Sequence, residues 1–137
     1  KANAVGVIDM AKLELMKTIE TGPDANRLYL NPGNSRYGLF ANEAGKSDIV
    51  SIIDTQLDVK VKDIWTGLGP HNVAFDPDGK FAVISTKKEN VATLVDTGSA
   101  DPNDWDVITT DLDSGIQNNG VRWVPSPAAL KKALAQN

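Results

Sequence analysis

Apolar and polar side chains alternate over short stretches along most of this chain. "KLELMKTIETG" (residues 12–22) and "LDVKVKDIWTG" (57–67) alternate residue by residue and close on a glycine, as strands with one face in water do. "RYGLFAN" (36–42) and "KFAVIST" (80–86) are denser in aromatic and β-branched residues and predict strands that are covered on both sides. Between them, "NPGN" and "DPDG" place proline and glycine where a tight turn needs one fixed φ followed by a positive one.

These elements recur. A β-branched run closing on aspartate appears as "VGVIDM", "VSIIDT" and "ATLVDT", and its aspartates Asp9, Asp54 and Asp96 lie 45 and then 42 positions apart. An apolar pair ahead of a proline turn appears as "LYLNPGN", "VAFDPDG" and "VRWVPSP", with Pro32, Pro77 and Pro125 spaced by 45 and then 48. From aspartate to proline is 23 positions in the first two units and 29 in the third, which locates an insertion in "GSADPNDWD" (98–106). Each unit therefore holds four short strands in about 45 residues, the size of a propeller blade.

"GPHNVAFDPDGKFAVIST", followed by "NVATLVDT", resembles the YVTN-type β-propeller repeat, which is close in architecture to WD40. The resemblance runs from about residue 4 to residue 127 and fades in the third unit, where no second strand follows "VRWVPSP". It implies an all-β fold of four-stranded antiparallel blades in an incomplete ring. On that frame the chain holds a half blade at 4–21, full blades at 28–66 and 72–110, and an innermost strand at 120–124. A short C-terminal helix is expected over 128–137, with Ser126 as its cap and Leu130, Ala133 and Leu134 on one face. That is about three blades' worth of strands, whereas a closed ring needs typically four to eight. Another protein chain, a second copy or a further segment is expected to complete it. Lys1 stands where a methionine would start a chain and Val5 already lies in a strand-like run, so a processed or partial polypeptide is expected.

With 18 acidic against 14 basic residues the chain carries a formal charge of −4 and no basic cluster, which argues against nucleic acid. There is no cysteine, so thiolate metal sites, disulfides and Cys-x-x-Cys-His haem attachment are excluded within this sequence. No apolar run approaches the ~18–20 residues of a membrane span. Nucleophile elbows, phosphate-binding loops and His-Glu-x-x-His are absent as well.

The remaining chemistry centres on His71, the sole histidine, in the turn entering an innermost strand near one mouth of the channel. Asn26 and Asn119 stand at the matching positions of the other units, and Arg27 and Asn72 are next along. As a set they can hold an anion, a carboxylate or the edge of a haem. As structure they satisfy backbone groups at strand entrances, which is the default reading. The recurrent aspartates are expected to close turns. Asp101, Asn103, Asp104 and Asp106 form an oxygen-rich loop and a weak calcium candidate, since the EF-hand glycine and glutamate are missing; a solvated turn capped by Trp105 competes with it. Trp65, Trp105 and Trp123 are expected to pack between blades, with cofactor stacking as the alternative for Trp123.

The sequence thus points to a non-catalytic binding or assembly module without a cofactor of its own. From the resemblance, such a protein is exported by a prokaryote to the periplasm or cell surface. The alternative, also from the resemblance, is a propeller segment of a periplasmic redox enzyme, like haem nitrite reductases or quinone- or copper-dependent enzymes, with haem or metal at the channel mouth.

Overall fold

The alternating stretches fold as strands joined by tight turns. The structure, a computed structural model, describes residues 3–43, 46–114 and 120–122. A hairpin of β1 (Ala4–Asp9) and β2 (Glu14–Glu20) comes first. A four-stranded antiparallel sheet follows, built from β3 (Ala25–Leu30), β4 (Tyr37–Asn42), β5 (Ile49–Asp54) and β6 (Val59–Trp65) in chain order. A second one repeats the meander with β7 (Pro70–Phe75), β8 (Phe81–Thr86), β9 (Val91–Asp96) and β10 (Asp106–Asp113). Between β9 and β10 the inserted loop forms a single 3₁₀ turn, Pro102–Asp104, capped by Asp101.

The sheets stack face to face in matching radial order. First strands meet first strands, as β3 and β4 pack on β7; last strands meet last strands, as β6 packs on β10 and β2 on β6. The β3–β6 sheet is therefore covered on both faces. Leu39, Val50, Ile52 and Ile64 point towards Val73, Ala82, Ile84 and Val95 of the following sheet. Phe40 and Ile53 point the other way, onto Ile19, Val5 and Val7 of the hairpin. Neighbouring residues on β4 and β5 thus serve different cores, which is why all six residues of β4 are buried.

Polar contacts lock each sheet to the next at repeated places. The backbone N–H of Gly22, just after β2, donates to Ser51 Oγ on β5 at 3.3 Å, and Gly67 N, just after β6, donates to Thr93 Oγ1 on β9 at 3.4 Å. Asn31 Nδ2 and Thr97 Oγ1 both donate to the carbonyl of Gly79, at 2.8 Å each. The aspartates close turns. Asp9 Oδ1 accepts from Ala11 N and Lys12 N, Asp54 Oδ1 from Gln56 N and Leu57 N, and Asp96 Oδ1 from Gly98 N.

The tryptophans divide. Trp105 is buried, sets its ring edge-on to Tyr37 at 6.0 Å, and donates through Nε1 to Ser99 O. Trp65 does not join a core; it is 69% exposed at the end of β6, because its side chain falls on the outer rim where no further strand covers it. Trp123 and the expected C-terminal helix lie outside the described residues. Residues 120–122 carry no strand, and the remainder of the expected innermost strand also lies outside them.

Candidate functional site

Two innermost strands, β3 and β7, start side by side, and their first residues bring four of the singled-out side chains together. Asn26 and His71 occupy equivalent places, as do Arg27 and Asn72. Arg27 Nη1 donates to Asn72 Oδ1 at 3.3 Å, and Tyr29 OH donates to the same oxygen at 2.5 Å. The backbone N–H of Asn72 donates to Ser85 Oγ at 3.1 Å. Asn119, the third member of the expected set, lies outside the described residues.

The hub of this cluster is Glu43, immediately after β4. Its Oε2 accepts from the Asn26 side-chain amide and lies 3.1 Å from His71 Nδ1, while its Oε1 is paired with the Lys87 ammonium. Burial works to raise the Glu43 carboxyl, but the Lys87 hydrogen bond and the His71 charge outweigh it and hold the group below the usual carboxylate range. Side chains from β3, from β7 and from the turn after β8, in two sheets, therefore converge on one carboxylate. Sequence reasoning missed Glu43 and Lys87, since neither stands in the repeated phrase that marked His71; only their shared place directly after β4 and β8 relates them.

His71 has one deeply placed nitrogen. Nδ1 is buried and makes no hydrogen bond, although Glu43 Oε2 lies 3.1 Å from it. The ring as a whole is 13% exposed. A cavity of about 260 Å³ is lined by Ala74, Val83, Val121 and Arg122, and His71 is not part of its lining.

The oxygen-rich insertion spends its oxygens on itself. Asp101 Oδ1 accepts from both the backbone and the side-chain amide of Asn103, which hold its carboxyl below the ordinary range. Asp104 Oδ2 accepts from Ser99 Oγ, and Asp106 Oδ1 from Val107 N. Lys62 then clamps the loop to β6 by donating to the carbonyls of Asn103 and Trp105 at 2.6 and 2.7 Å. No group of three or more His, Cys, Asp or Glu side chains able to hold a metal ion occurs among the described residues.

No protein-family profile matches the chain, and no curated protein does. Solved structures do. The chain is similar to Kuenenia stuttgartiensis hydrazine synthase, with a TM-score of 0.72 and 20% identity over 93% of this chain and 34% of that one. It is similar to the dihydro-heme d1 dehydrogenase NirN, solved in complex with DHE, at a TM-score of 0.68 and 18% identity over 90% of this chain and 26% of that one. AztD of Citrobacter koseri matches at 0.62 and 9% over 90% of this chain and 35% of that one. The chain spans about a third or less of each of these proteins. At such identities the likeness speaks for the fold, and with the stacked four-stranded meanders it establishes β-propeller blades in an incomplete ring.

Proposed function

We propose that this chain is a non-catalytic propeller module whose task is binding and assembly, its ring being completed by a second copy, another chain or a further segment of the same polypeptide. The observation that carries this is the β1–β2 hairpin. One of its faces packs on Phe40 and Ile53, but on the other Ile8 and Leu15 are 55% and 64% exposed, and Met16 beside them is 65% exposed. The edge of β1 away from β2 pairs with no strand among the described residues. A two-stranded hairpin with an apolar outer face and a vacant edge is an invitation to further strands. Export by a prokaryote belongs to this reading, and its support is the YVTN-type resemblance.

The mass of the protein in solution tests the proposal. Assembly predicts a multiple of 14.7 kDa, or a complex with the completing partner. A cooperative, stable monomer of one chain's mass overturns it.

The second reading, a propeller segment that takes a redox cofactor at the channel mouth, is favoured by one feature, the placement of His71 against Glu43. Likeness to NirN in complex with DHE agrees with it at the level of fold. An absorption spectrum and metal analysis of protein purified from its natural source separate the two readings.

A further inference from the structure

The end of the two sheets opposite His71 holds another cavity, of about 250 Å³, enclosed by three turns. Asn31 and Asn34 come from the turn between β3 and β4, Asp78 and Lys80 from the turn between β7 and β8, and Thr97 and Ser99 from the insertion ahead of β10. Its floor is buried and neutral, with Asn31 2% and Thr97 3% exposed. Asn31 Nδ2 and Thr97 Oγ1 each donate one hydrogen to the Gly79 carbonyl. The second amide hydrogen of Asn31 and the hydroxyl lone pairs of Thr97 meet no partner among the described residues. At the rim stand Lys80 and Asp78, both exposed, and neither side chain has a hydrogen-bond or ion-pair partner among the described residues.

One wall of this cleft is a built structure. The insertion lengthens a turn that is short in the preceding blade, and its own bonds hold it in shape. Trp105 Nε1 donates to Ser99 O at 2.9 Å, and Asp101 N donates to Ser99 Oγ at 3.2 Å. Lys62, from the neighbouring sheet, fastens the far side of the loop through the carbonyls of Asn103 and Trp105. The wall therefore stands before any ligand arrives, and binding has no loop to order.

The lining selects among ligand classes. An apolar molecule finds little to cover, since Trp105 is the one aromatic contact. An anion meets Asp78 and a cation meets Lys80, each at a rim where water screens the attraction to the other. A neutral molecule with several hydroxyls is served by all of these groups, because each hydroxyl both donates and accepts. It accepts from Lys80 and the Asn31 amide, and it donates to Asp78 and the Thr97 oxygen. The C–H face of a sugar ring matches the single indole contact. The volume is below the ~300–1,000 Å³ of pockets for drug-sized ligands, which limits the occupant to a small molecule. We propose that this cleft is a binding site for one neutral hexose. The inference does not depend on what completes the ring, because every lining residue belongs to the two full sheets and their turns.

Calorimetric titration of the full chain tests it. Glucose, galactose and mannose are the probes, with acetate, ethylammonium and glycine as anionic, cationic and zwitterionic controls. Saturable one-to-one binding of at least one hexose, and of none of the controls at the same concentrations, is the expected result. Lys80→Met and Asp78→Ala should each weaken that binding about tenfold. Neither should change the melting temperature of the free protein, since neither side chain has a partner to lose. Gly98 lines the same cleft, and a Cβ there would lie 3.3 Å from Asp96 Oδ1 and 3.8 Å from Lys80 Cβ. Gly98→Leu therefore narrows the cleft and should abolish binding; should it fail to fold, Lys80→Met decides alone. In Trp65→Phe/Trp123→Phe the sole remaining tryptophan is Trp105, whose fluorescence should follow the same saturation curve. Three hexoses without saturable binding, a charged control bound in their place, or an affinity indifferent to Lys80→Met overturns the proposal. The mass of the same samples reports separately on assembly, so failure of ring completion and failure of sugar binding are told apart.

Discussion

Arg36 grips Asp54 in a fork, with Nε 3.0 and 2.9 Å from the two carboxylate oxygens and Nη2 2.5 Å from Oδ2, while the guanidinium also lies over the Tyr37 ring. The pair ties the turn before β4 to the end of β5, and Asp54 is buried. The Arg36 hydrogen bond, opposed by burial and aided by the amides of Leu57 and Gln56, holds the Asp54 carboxyl below its usual range.

A pH dependence follows from that direction. Unfolded aspartate takes up its proton near pH ~3.9, before the folded group does, so acid favours the unfolded chain. The contribution of Asp54 is complete above that value and is lost as the pH falls through the lower folded one. Thermal unfolding from pH 7 to 3 is expected to show an acid limb that Asp54→Asn flattens. At neutral pH the variant should melt roughly 5 °C lower, the gap closing in acid. A constant gap at every pH would show that the charge is not what matters.

Ser51 and Thr93 make the same inter-sheet bond one repeat apart, but with different neighbours. Ser51 Oγ accepts from Gly22 N and Asn42 Nδ2 and donates to Asp63 at 2.7 Å. Thr93 Oγ1 accepts from Gly67 N alone among those contacts. Ser51→Ala leaves the buried Gly22 amide without a partner and takes one bond each from Asn42 and Asp63, and is expected to cost about 2–3 kcal/mol; Thr93→Val should cost about 1 kcal/mol. Urea unfolding measures both, and the double variant should come close to the sum, since the two bonds share no partner.

The strands and their order were legible because period-two alternation and proline–glycine turns are local signals. "KFAVIST" reads as a covered strand and becomes β8. The bonds that join sheets were not legible, because they link residues many positions apart through backbone groups that carry no side-chain signature. Gly22 and Gly67 read only as turn residues, yet each supplies an amide to the next sheet. Asn26, Arg27, His71 and Asn72 could be singled out by their shared offset in the repeat. Glu43 could not, since a lone glutamate in a connection has nothing to distinguish it from a solvated one until Asn26, His71 and Lys87 surround it. Trp65 misled for a related reason, as its size suggests a core while its place at the end of the outermost strand denies it one.

Gly69 and Gly79 have the same backbone conformation, φ +69°, and different surroundings. A Cβ on Gly69 would meet Lys88 Cγ at 3.2 Å, the movable part of a long side chain. On Gly79 it would overlap the Asn31 side-chain oxygen, which also accepts from Gly33 N and is therefore held in place. Gly69→Ala is expected to cost about 1 kcal/mol, the strain of a left-handed residue. Gly79→Ala should cost clearly more, because the Asn31–Gly79 bond between sheets is displaced too. Equal losses in denaturant midpoint would mean that the inter-sheet turn contact contributes nothing.

The hairpin face distinguishes a core residue from an assembly residue. Ile52 is fully buried between the two full sheets, so Ile52→Ala is expected to cost about 2–5 kcal/mol whatever the state of assembly. Leu15, exposed beside Ile8, offers nothing comparable to a single chain. Leu15→Glu should leave the circular dichroism of the strands unchanged while lowering the mass in solution, because a charge buried against incoming strands has no partner there. Gly6 sits under Leu15, with space for a Cβ only at 3.0 Å from Leu15 Cδ1, so Gly6→Val should disturb the same face from below and weaken assembly in the same direction. Sedimentation at several concentrations reads both variants. If the wild type and Leu15→Glu sediment alike as multiples of one chain, completion of the ring does not run through this face.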